Sequence, residues 1–472
     1  MKTIIRTLAI CCITGLAAGC KKTFIQLAPV SNANAENFYK TKDDFDLAVA
    51  AAYNSLYTIY APEGAVSYAS EQMSDNAIVY NISGIEADKW AFKDYNLKPA
   101  NTMVYQFWQD FYKALFNINI VLSKIDDADL SATYKTGVTA EMKFLRGLYY
   151  FDMVRLWGEL PVVTTPLTGA ESYGVLRSPQ ADVYNLITSD VKFAIDNLPL
   201  ASAITVKGKA SKGAAETLLG EVYLAQGNKA SATTVLQDVY NSTQYQLLPT
   251  YASVWGPTVK NTKESIFEIQ CIGGSATTPY SKYYQGFFPN TNIFVFYGGG
   301  MNQVTDDLYN EYESSDPRRD ITIALGYQNG ATFVNQKYTK KWTDAGAAIN
   351  GGNSLAGNNF MVYRYADLLL MLSEATGDAK YLNEVRTRAS LPLYGTASYP
   401  SAQYGTLALA IEHERRVELA LEFHRWFDLK RTGRAVTVLA AKGKNINADK
   451  LLLPIPAIVR TQNDKITQNT GY

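Results

Sequence analysis

The stretch AEMKFLRGLYYFDMVRLWGELPVV (residues 140–163) constrains the fold most, because it combines a helix that is apolar on every side with six charged residues. Such a helix is usually buried, and a buried charge without a partner is strongly destabilising. At roughly 100° per residue, Asp152, Arg155 and Glu159 fall on one side of the helix. We therefore expect pairs of Asp152 with Arg155 and of Arg155 with Glu159 inside the protein, rather than a catalytic carboxylate pair.

A second segment, EHERRVELALEFHRWFDLKRTG (residues 412–433), has the same mixture of apolar and charged residues. Charges three or four residues apart on a helix can pair. The pairs expected here and in RYADLLL are Glu412 with Arg416, Glu422 with Arg425, Arg425 with Asp428, and Arg364 with Asp367.

The N-terminus, MKTIIRTLAICCITGLAAGC, is typical of a secretory signal, with a basic start and a short apolar core. Its end, LAAGC, is similar to a bacterial lipobox. We expect residues 1–19 to be removed and Cys20 to be lipidated. The alternative is an ordinary cleaved signal in which the cysteine is incidental.

Composition excludes several classes of function. The chain has 44 basic and 44 acidic residues, which argues against nucleic-acid binding. Only Cys271 remains free after processing, so we expect no disulfide, and we interpret Cys271 as a small buried side chain. Two histidines, His413 and His424, make a metal site or a Ser-His relay improbable. We expect no metal and no cofactor.

Apolar periodicity predicts a mainly α protein. Two adjacent helices, residues 211–227 and 228–242, have the form of a tetratricopeptide-type hairpin. A Gly- and aromatic-rich part, residues 246–360, separates an N-terminal helical part (20–245) from a C-terminal one (361–472). The other predicted helices are residues 41–60, 103–124, 140–158, 178–199, 363–378, 379–390 and 406–433; residues 264–270 are a predicted strand and residues 68–98 a predicted loop.

Eight segments, taken in order, resemble the SusD/RagB family of Bacteroidetes outer-membrane lipoproteins. The resemblance runs over the mature chain, residues 20–472. The segments are AEMKFLRGLYYFDMVRLWGELPVV, SKGAAETLLGEVYLAQG, ESIFEIQ, YRYADLLLMLSEA, LNEVRTRA, ERRVELALEFHRWFDLKRTG, LLPIP and QNTGY.

The resemblance implies a fold, a role and a partner. The fold is a scaffold of four tetratricopeptide-type helix pairs, with loops and a few short strands on one face. The role is capture of a nutrient, typically an oligosaccharide, without catalysis. The partner is a SusC-like TonB-dependent transporter, with the protein held at the outer membrane by its N-terminal lipid and facing the cell exterior.

This sequence departs from the family pattern at several positions. The family usually has glycine where Ser390 and Phe423 stand, and proline where Thr470 stands. Members exported to the cell surface often have acidic residues after the lipidated cysteine, whereas Lys21 and Lys22 follow Cys20 here. The signal alone therefore leaves surface and periplasmic orientations open.

The chain is rich in aromatic residues, with 33 tyrosines, 19 phenylalanines and 6 tryptophans. Tyrosine and tryptophan rings can stack on sugars, although they also serve as core packing. Ligand contacts are expected in loops over a rigid scaffold. The candidate ligand-binding residues are Trp90, Tyr80, Asn81, Tyr283, Tyr284, Tyr297 and Trp342.

Four functions remain open from the sequence. The first is a glycan-binding lipoprotein of an uptake complex, and the second is a peptide-binding member similar to RagB. The third is a glycoside hydrolase, which requires two carboxylates in a groove, whereas the carboxylates here lie mostly in helical runs. The fourth is a repeat scaffold that binds only protein.

Overall fold

The computed structural model of the protein describes residues 38–79, 87–291 and 296–472. Its helices, numbered in chain order, are α1 (Lys42–Ile59), α2 (Ala65–Gln72), α3 (Ala87–Lys93), α4 (Thr102–Ile125), α5 (Ala132–Trp157), α6 (Gly169–Ser172), α7 (Gln180–Asn197), α8 (Lys212–Ala225), α9 (Lys229–Asn241), α10 (Tyr283–Phe287), α11 (Asp306–Glu311), α12 (Arg318–Thr322), α13 (Tyr365–Thr376), α14 (Ala379–Arg388), α15 (Ser401–Tyr404), α16 (Leu407–Glu418), α17 (Arg425–Arg431), α18 (Ala435–Ala441) and α19 (Ala457–Gln462). Its strands are β1 (Ala77–Ile78), β2 (Leu160–Pro161), β3 (Arg177–Ser178), β4 (Ser265–Ile269), β5 (Gln303–Val304), β6 (Ile323–Ala324), β7 (Tyr327–Asn329), β8 (Thr332–Val334), β9 (Tyr338–Thr339), β10 (Ala348–Asn350), β11 (Asn353–Leu355) and β12 (Phe360–Arg364). Helices dominate and the strands are short, which confirms the predicted fold class.

The long helices pack against one another largely in chain order. The scaffold contains the pairs α1 with α4, α5 with α7, α8 with α9, and α13 with α14, and each pair also contacts its neighbour. Close approach explains the small residues of the α8–α9 hairpin: a Cβ at Gly220 would lie 2.3 Å from a methyl carbon of Leu236. These are the four helix pairs that the resemblance implied.

Local capping explains where the helices begin and end. The side chain of Thr41 accepts a hydrogen bond from the amide of Asp44, and Asp44 returns one to the Thr41 backbone, forming a capping box at α1. The side chains of Asn101 and Ser131 cap α4 and α5 by accepting from the amides of Val104 and Tyr134, without a reciprocal bond. Helix α5 ends at Gly158, whose φ of 76° favours glycine.

Four predicted boundaries were wrong. Helix α5 begins at Ala132, eight residues before the predicted start at residue 140. Residues 68–98 contain most of α2 and all of α3 rather than only loop. Residues 363 and 364 belong to β12, which pairs antiparallel with β4, so α13 starts only at Tyr365. The helix predicted over residues 406–433 is two helices, because Leu421 and Phe423 adopt positive φ values of 65° and 73° between α16 and α17.

Short sheets lie in the segment between α9 and α13. The largest has four strands in the order β1-β5-β9-β6, and it joins residues after α2 to the middle of the chain. Two hairpins, β7-β8 and β10-β11, project from the same segment.

The charges of residues 140–163 are paired in the interior, as expected, but mostly with distant segments. Arg155 binds Asp152 and also Glu221, at 2.5 and 2.6 Å. The predicted pair of Arg155 with Glu159 does not form, because α5 ends at Trp157. The other pairs of this stretch are Glu141 with Lys209, and Lys143 and Arg146 with Asp190.

None of the four local pairs predicted in the C-terminal helices forms. The break between α16 and α17 separates Glu422 from Arg425, and Arg364 lies in β12, outside the helix of Asp367. Glu412 with Arg416 and Arg425 with Asp428 each share a helix, but partners from other elements are bound instead. The observed pairs are Arg416 with Asp75, Asp307 and Glu311; Arg425 with Asp75 and Glu412; Arg364 with Glu264, Glu418 and Glu422; and Arg415 with Asp367 and Asp428.

Across residues 38–79, 87–291 and 296–472, no helix combines the length and the apolar character needed to cross a bilayer. The predicted signal peptide and Cys20 lie outside the described residues.

Candidate ligand-binding face

A buried aromatic stack underlies the loops that follow β4. Tyr283 and Trp342 lie 5.2 Å apart between ring centroids, and both contact Phe360, which stacks on Phe423 at 4.5 Å. The Tyr283 hydroxyl donates a hydrogen bond to the carbonyl of Tyr60 at 2.8 Å. Tyr283 is 5% exposed and Trp342 is 2% exposed. The structure therefore brings these two predicted residues together, but as a floor that offers no ring face to solvent.

Ion pairs in the interior fix this stack. The Lys341 ammonium, next to Trp342 in the chain, donates to Glu422 at 2.7 Å and lies 4.2 Å from the Trp255 ring centroid. Burial lowers the pKa of Lys341 to about 8, although Glu422 opposes that shift. Glu422 in turn precedes Phe423 in the chain. The buried Glu422 carboxylate therefore connects the Trp342 end of the stack to the Phe423 end.

The loop surface above the stack carries Tyr297. Its backbone amide donates to the carbonyl of Gly352 at 3.3 Å, and its carbonyl accepts from Gln285 Nε2 at 3.0 Å. Gln285 also accepts from the amide of Ser354 at 2.9 Å. Its side chain therefore joins α10, the segment of Tyr297 and strand β11. The Tyr297 side chain is 56% exposed. An exposed ring on a backbone held from both sides is suited to stacking on a ligand.

Tyr284 lies beside this surface and is half-buried. Its ring packs edge-on against Phe296 at 5.0 Å and Phe288 at 6.2 Å. Burial raises the pKa of the Tyr284 hydroxyl. Tyr284 therefore supports the loops and presents only part of its ring.

Trp90 lies on a separate element, α3, whose position two neighbouring residues fix. Lys89 pairs with Glu63 at 2.9 Å, and the Asp88 carboxylate accepts from the amide of Thr102 at 2.8 Å. The Trp90 ring is partly buried against the core, and its indole nitrogen finds no partner among the described residues. Tyr80 and Asn81, which precede this helix, lie outside the described residues.

A cavity of about 330 Å³ opens beside the face. We call it the first cavity; its walls are the end of α1, the turn before α2, one side of α4 and residues 280–283. Tyr280 and Tyr57 contribute rings, and Gln106 and Asp110 of α4 contribute polar groups. Cys271 also lines it, and burial raises the pKa of this free thiol to about 12, which keeps it protonated and unreactive.

Two sets of residues at this face were not predicted from the sequence. Gln285 lies inside the aromatic run YSKYYQGFFP. This pattern indicates ring contacts and gives no signal for the amide that joins the loops. Gln106 and Asp110 lie on the polar face of an amphipathic helix that also carries Gln109 and Lys113, so the sequence pattern gives no signal that singles them out.

Several interior carboxylates are paired with arginines. Glu414 and Glu418 are fully buried and bind Arg318, at 2.5 and 2.8 Å. Among the described residues, no group of three or more histidine, cysteine or acidic side chains is arranged to hold a metal ion.

Two family models match the chain. The model described as "SusD family" matches residues 292–472, and the model described as "Starch-binding associating with outer membrane" matches residues 31–224. A SusD-like protein from Formosa agariphila is 26% identical over 100% of this chain and 99% of its own length. A SusD-like protein from Bacteroides ovatus is 24% identical over 88% of this chain and 80% of its own length.

Solved structures agree with these matches. A laminarin binding SusD-like protein superposes with a TM-score of 0.80 and 30% identity, covering 92% of this chain and 100% of that one. Surface glycan-binding protein A from Bacteroides thetaiotaomicron, in complex with laminarihexaose, shares the fold at a TM-score of 0.78 and 22% identity, over 91% of this chain and 100% of that one. The sequence matches and the shared fold together show that this chain belongs to the SusD/RagB family.

Proposed function

We propose that this protein captures an oligosaccharide on the loop face around Tyr297 and delivers it to a SusC-like TonB-dependent transporter. The observation that carries the proposal is the exposed ring of Tyr297, whose backbone is hydrogen-bonded on both sides above a buried aromatic floor. A backbone that is fixed before the ligand arrives loses little conformational freedom on binding. The name of the 30% identical relative, a laminarin binding protein, supports a glycan as the ligand class.

The ligand residues in this proposal have different roles. Tyr297 supplies the stacking surface, Tyr284 borders it, and Tyr283 and Trp342 support it from below. Trp90 on α3 is a further proposed ligand contact, and Tyr80 and Asn81 stay predictions because they lie outside the described residues.

Titration calorimetry of the processed chain tests this function. The ligands are laminarihexaose, maltohexaose, cellohexaose and xylohexaose, with mixed oligopeptides as the competing class. Replacing Tyr297 by Ala should weaken saccharide binding by roughly tenfold to thirtyfold, because truncated aromatic contacts commonly cost about 2 kcal/mol. The matched control is Leu47→Ala, an exposed side chain on α1 that lines neither the first cavity nor the loop face.

The outcomes discriminate between the candidate functions. Binding of peptides but no saccharide would replace the glycan by a peptide ligand. Release of reducing ends from any of these saccharides by the pure protein would overturn binding without catalysis. Equal affinities of the Tyr297→Ala and Leu47→Ala variants would remove the loop face from the proposal.

We further propose that Cys20 is acylated and holds the protein in the outer membrane, facing the exterior. Mass spectrometry of the purified N-terminus should show the lipid, and Cys20→Ser should leave the protein outside the membrane fraction. Co-purification with a TonB-dependent barrel from detergent-solubilised membranes tests the partner. Protease added to intact cells tests orientation, because only a surface protein is digested.

A further inference from the structure

A second cavity borders α4 next to the first cavity. We call it the α4 cavity. It has a volume of about 630 Å³, roughly twice that of the first cavity, and lies within the usual size range of small-molecule sites. Its walls are one face of α4, the loop after β2, and the chain from α19 to Ile466.

The α4 wall presents a row of aromatic rings. Tyr105, Tyr112 and Phe116 are seven and four residues apart, spacings that place side chains on one helical face. The row extends for about 16 Å along the helix. Phe116 is 45% exposed, and Tyr173 on the facing loop is 55% exposed. Large apolar rings left in water on two facing walls indicate a ligand with flat apolar faces.

Polar groups alternate with these rings. Gln109 Nε2 donates to the Tyr105 hydroxyl at 2.9 Å, and Gln106 Nε2 donates to Asp110 at 2.8 Å. In the part of the chain that the structure describes, the Lys113 ammonium forms no ion pair. Amides, a carboxylate and an ammonium beside exposed rings match a saccharide, which offers both C–H faces and hydroxyl groups. A groove for a partner helix would be more uniformly apolar.

The walls are held in place without a ligand. The Tyr112 hydroxyl donates to the carbonyl of Pro161 at 2.9 Å, and Asn119 donates to the carbonyl of Val163 at 2.9 Å. Asn463, which is 5% exposed, donates to the carbonyl of Val175 at 2.8 Å and so ties the C-terminal wall to the loop. Preformed walls reduce the ordering cost of binding.

Gln106 and Asp110 line both cavities, which therefore lie side by side along α4. From this geometry we propose that the α4 cavity is a second saccharide-binding site of the protein, so that a long glycan can continue from the first cavity across α4. This inference shares its ligand class with the proposed function and rests on it to that extent. The residues that carry it, Phe116 and Tyr173, are separate from the loop face.

The experiment uses the processed chain carrying Phe116→Ala and Tyr173→Ala together. Both rings are exposed, so the variant should keep the thermal midpoint of the wild type. Titration with the four hexasaccharides named above should show either one bound molecule fewer per chain or roughly tenfold weaker binding. Leu47→Ala serves as the surface control, and Tyr297→Ala as the variant of the loop face.

Each outcome has one meaning. If the double variant matches Leu47→Ala in affinity and stoichiometry while Tyr297→Ala binds more weakly, the α4 cavity is not a saccharide site, and the proposed function stands. If it keeps all saccharide binding but no longer co-purifies with a transporter, the cavity is a protein interface and the inference is overturned. If the wild type binds none of the saccharides, both proposals fail.

Discussion

The C-terminal interior and the loop face use large polar and aromatic side chains in opposite ways. In the interior, Arg364 is 1% exposed and binds Glu264, Glu418 and Glu422 at 2.6 to 3.0 Å. On the loop face, Tyr297 is 56% exposed and is held only through its backbone. Groups that satisfy one another inside the protein can contact no ligand. The contrast separates what builds the scaffold from what can recognise a ligand.

We expect the loop face to depend on the interior ion pairs, and not the reverse. Glu422 accepts hydrogen bonds from both Arg364 and Lys341. Phe423, which follows Glu422 in the chain, and Trp342, which follows Lys341, belong to the aromatic floor. Loss of the ion pairs should therefore disturb the face, whereas loss of an exposed ring should leave the ion pairs intact. The predictions below test this asymmetry.

The largest effect is expected for Arg364→Ala. The substitution leaves three buried carboxylates without their shared partner. Burial opposes the charge of Arg364, but Glu422 and Glu418 outweigh it and hold its pKa well above the usual range. Breaking a buried ion pair by removing one partner costs about 3–5 kcal/mol. Urea unfolding followed by circular dichroism measures the change, and saccharide binding should fall with it.

Arg434→Ala is the matched control for that experiment. Arg434 pairs with Glu412 but is 41% exposed, so its loss should cost less than about 1 kcal/mol. If Arg364→Ala were no more destabilising than Arg434→Ala, the interior pairs would not be what fixes the scaffold.

An intermediate effect is expected for Trp90→Ala, because this ring packs against the core and is also a proposed ligand contact. It is partly buried against the core, so truncation should lower the free energy of unfolding by roughly 1–2 kcal/mol. If Trp90 also stacks on the ligand, binding should weaken by roughly tenfold. Melting curves and calorimetry on one preparation separate the two losses. Lost stability with unchanged affinity would assign Trp90 to the scaffold alone.

Much of the scaffold could be predicted from the sequence, because its signals are local. Capping at Thr41, apolar periodicity in α1, α4 and α5, and the small residues of the α8–α9 hairpin all act within a few residues. The burial of charges in residues 140–163 was also predictable, since a helix that is apolar all round leaves them nowhere else to lie.

The partners of those charges could not be predicted in the same manner. Spacing along a helix suggested Arg364 with Asp367, but the fold places Asp367 against Arg415, 48 residues away. The face has the same difficulty: Tyr297 and Trp342 are both loop aromatics, and only the packing of distant segments decides that one is exposed and the other buried. Likewise, Gln106 and Asp110 acquire a role only when the loop before α10 is folded against α4.

The smallest effect is expected for Ser390→Gly, which changes a turn beside the interior pairs without touching any of them. Ser390 follows α14 with a φ of 57°, a conformation in which a side chain costs about 1 kcal/mol and which favours glycine after a helix. Glycine is also what relatives of this family usually have there. Because glycine gains entropy in the unfolded chain, the net gain should be up to about 1 kcal/mol. A small rise in the thermal midpoint, with Ser390→Ala showing none, would attribute the gain to backbone strain. A loss of stability in Ser390→Gly would instead show that the serine side chain itself supports the turn that leads from Arg388 and its pairs with Glu264 and Glu418.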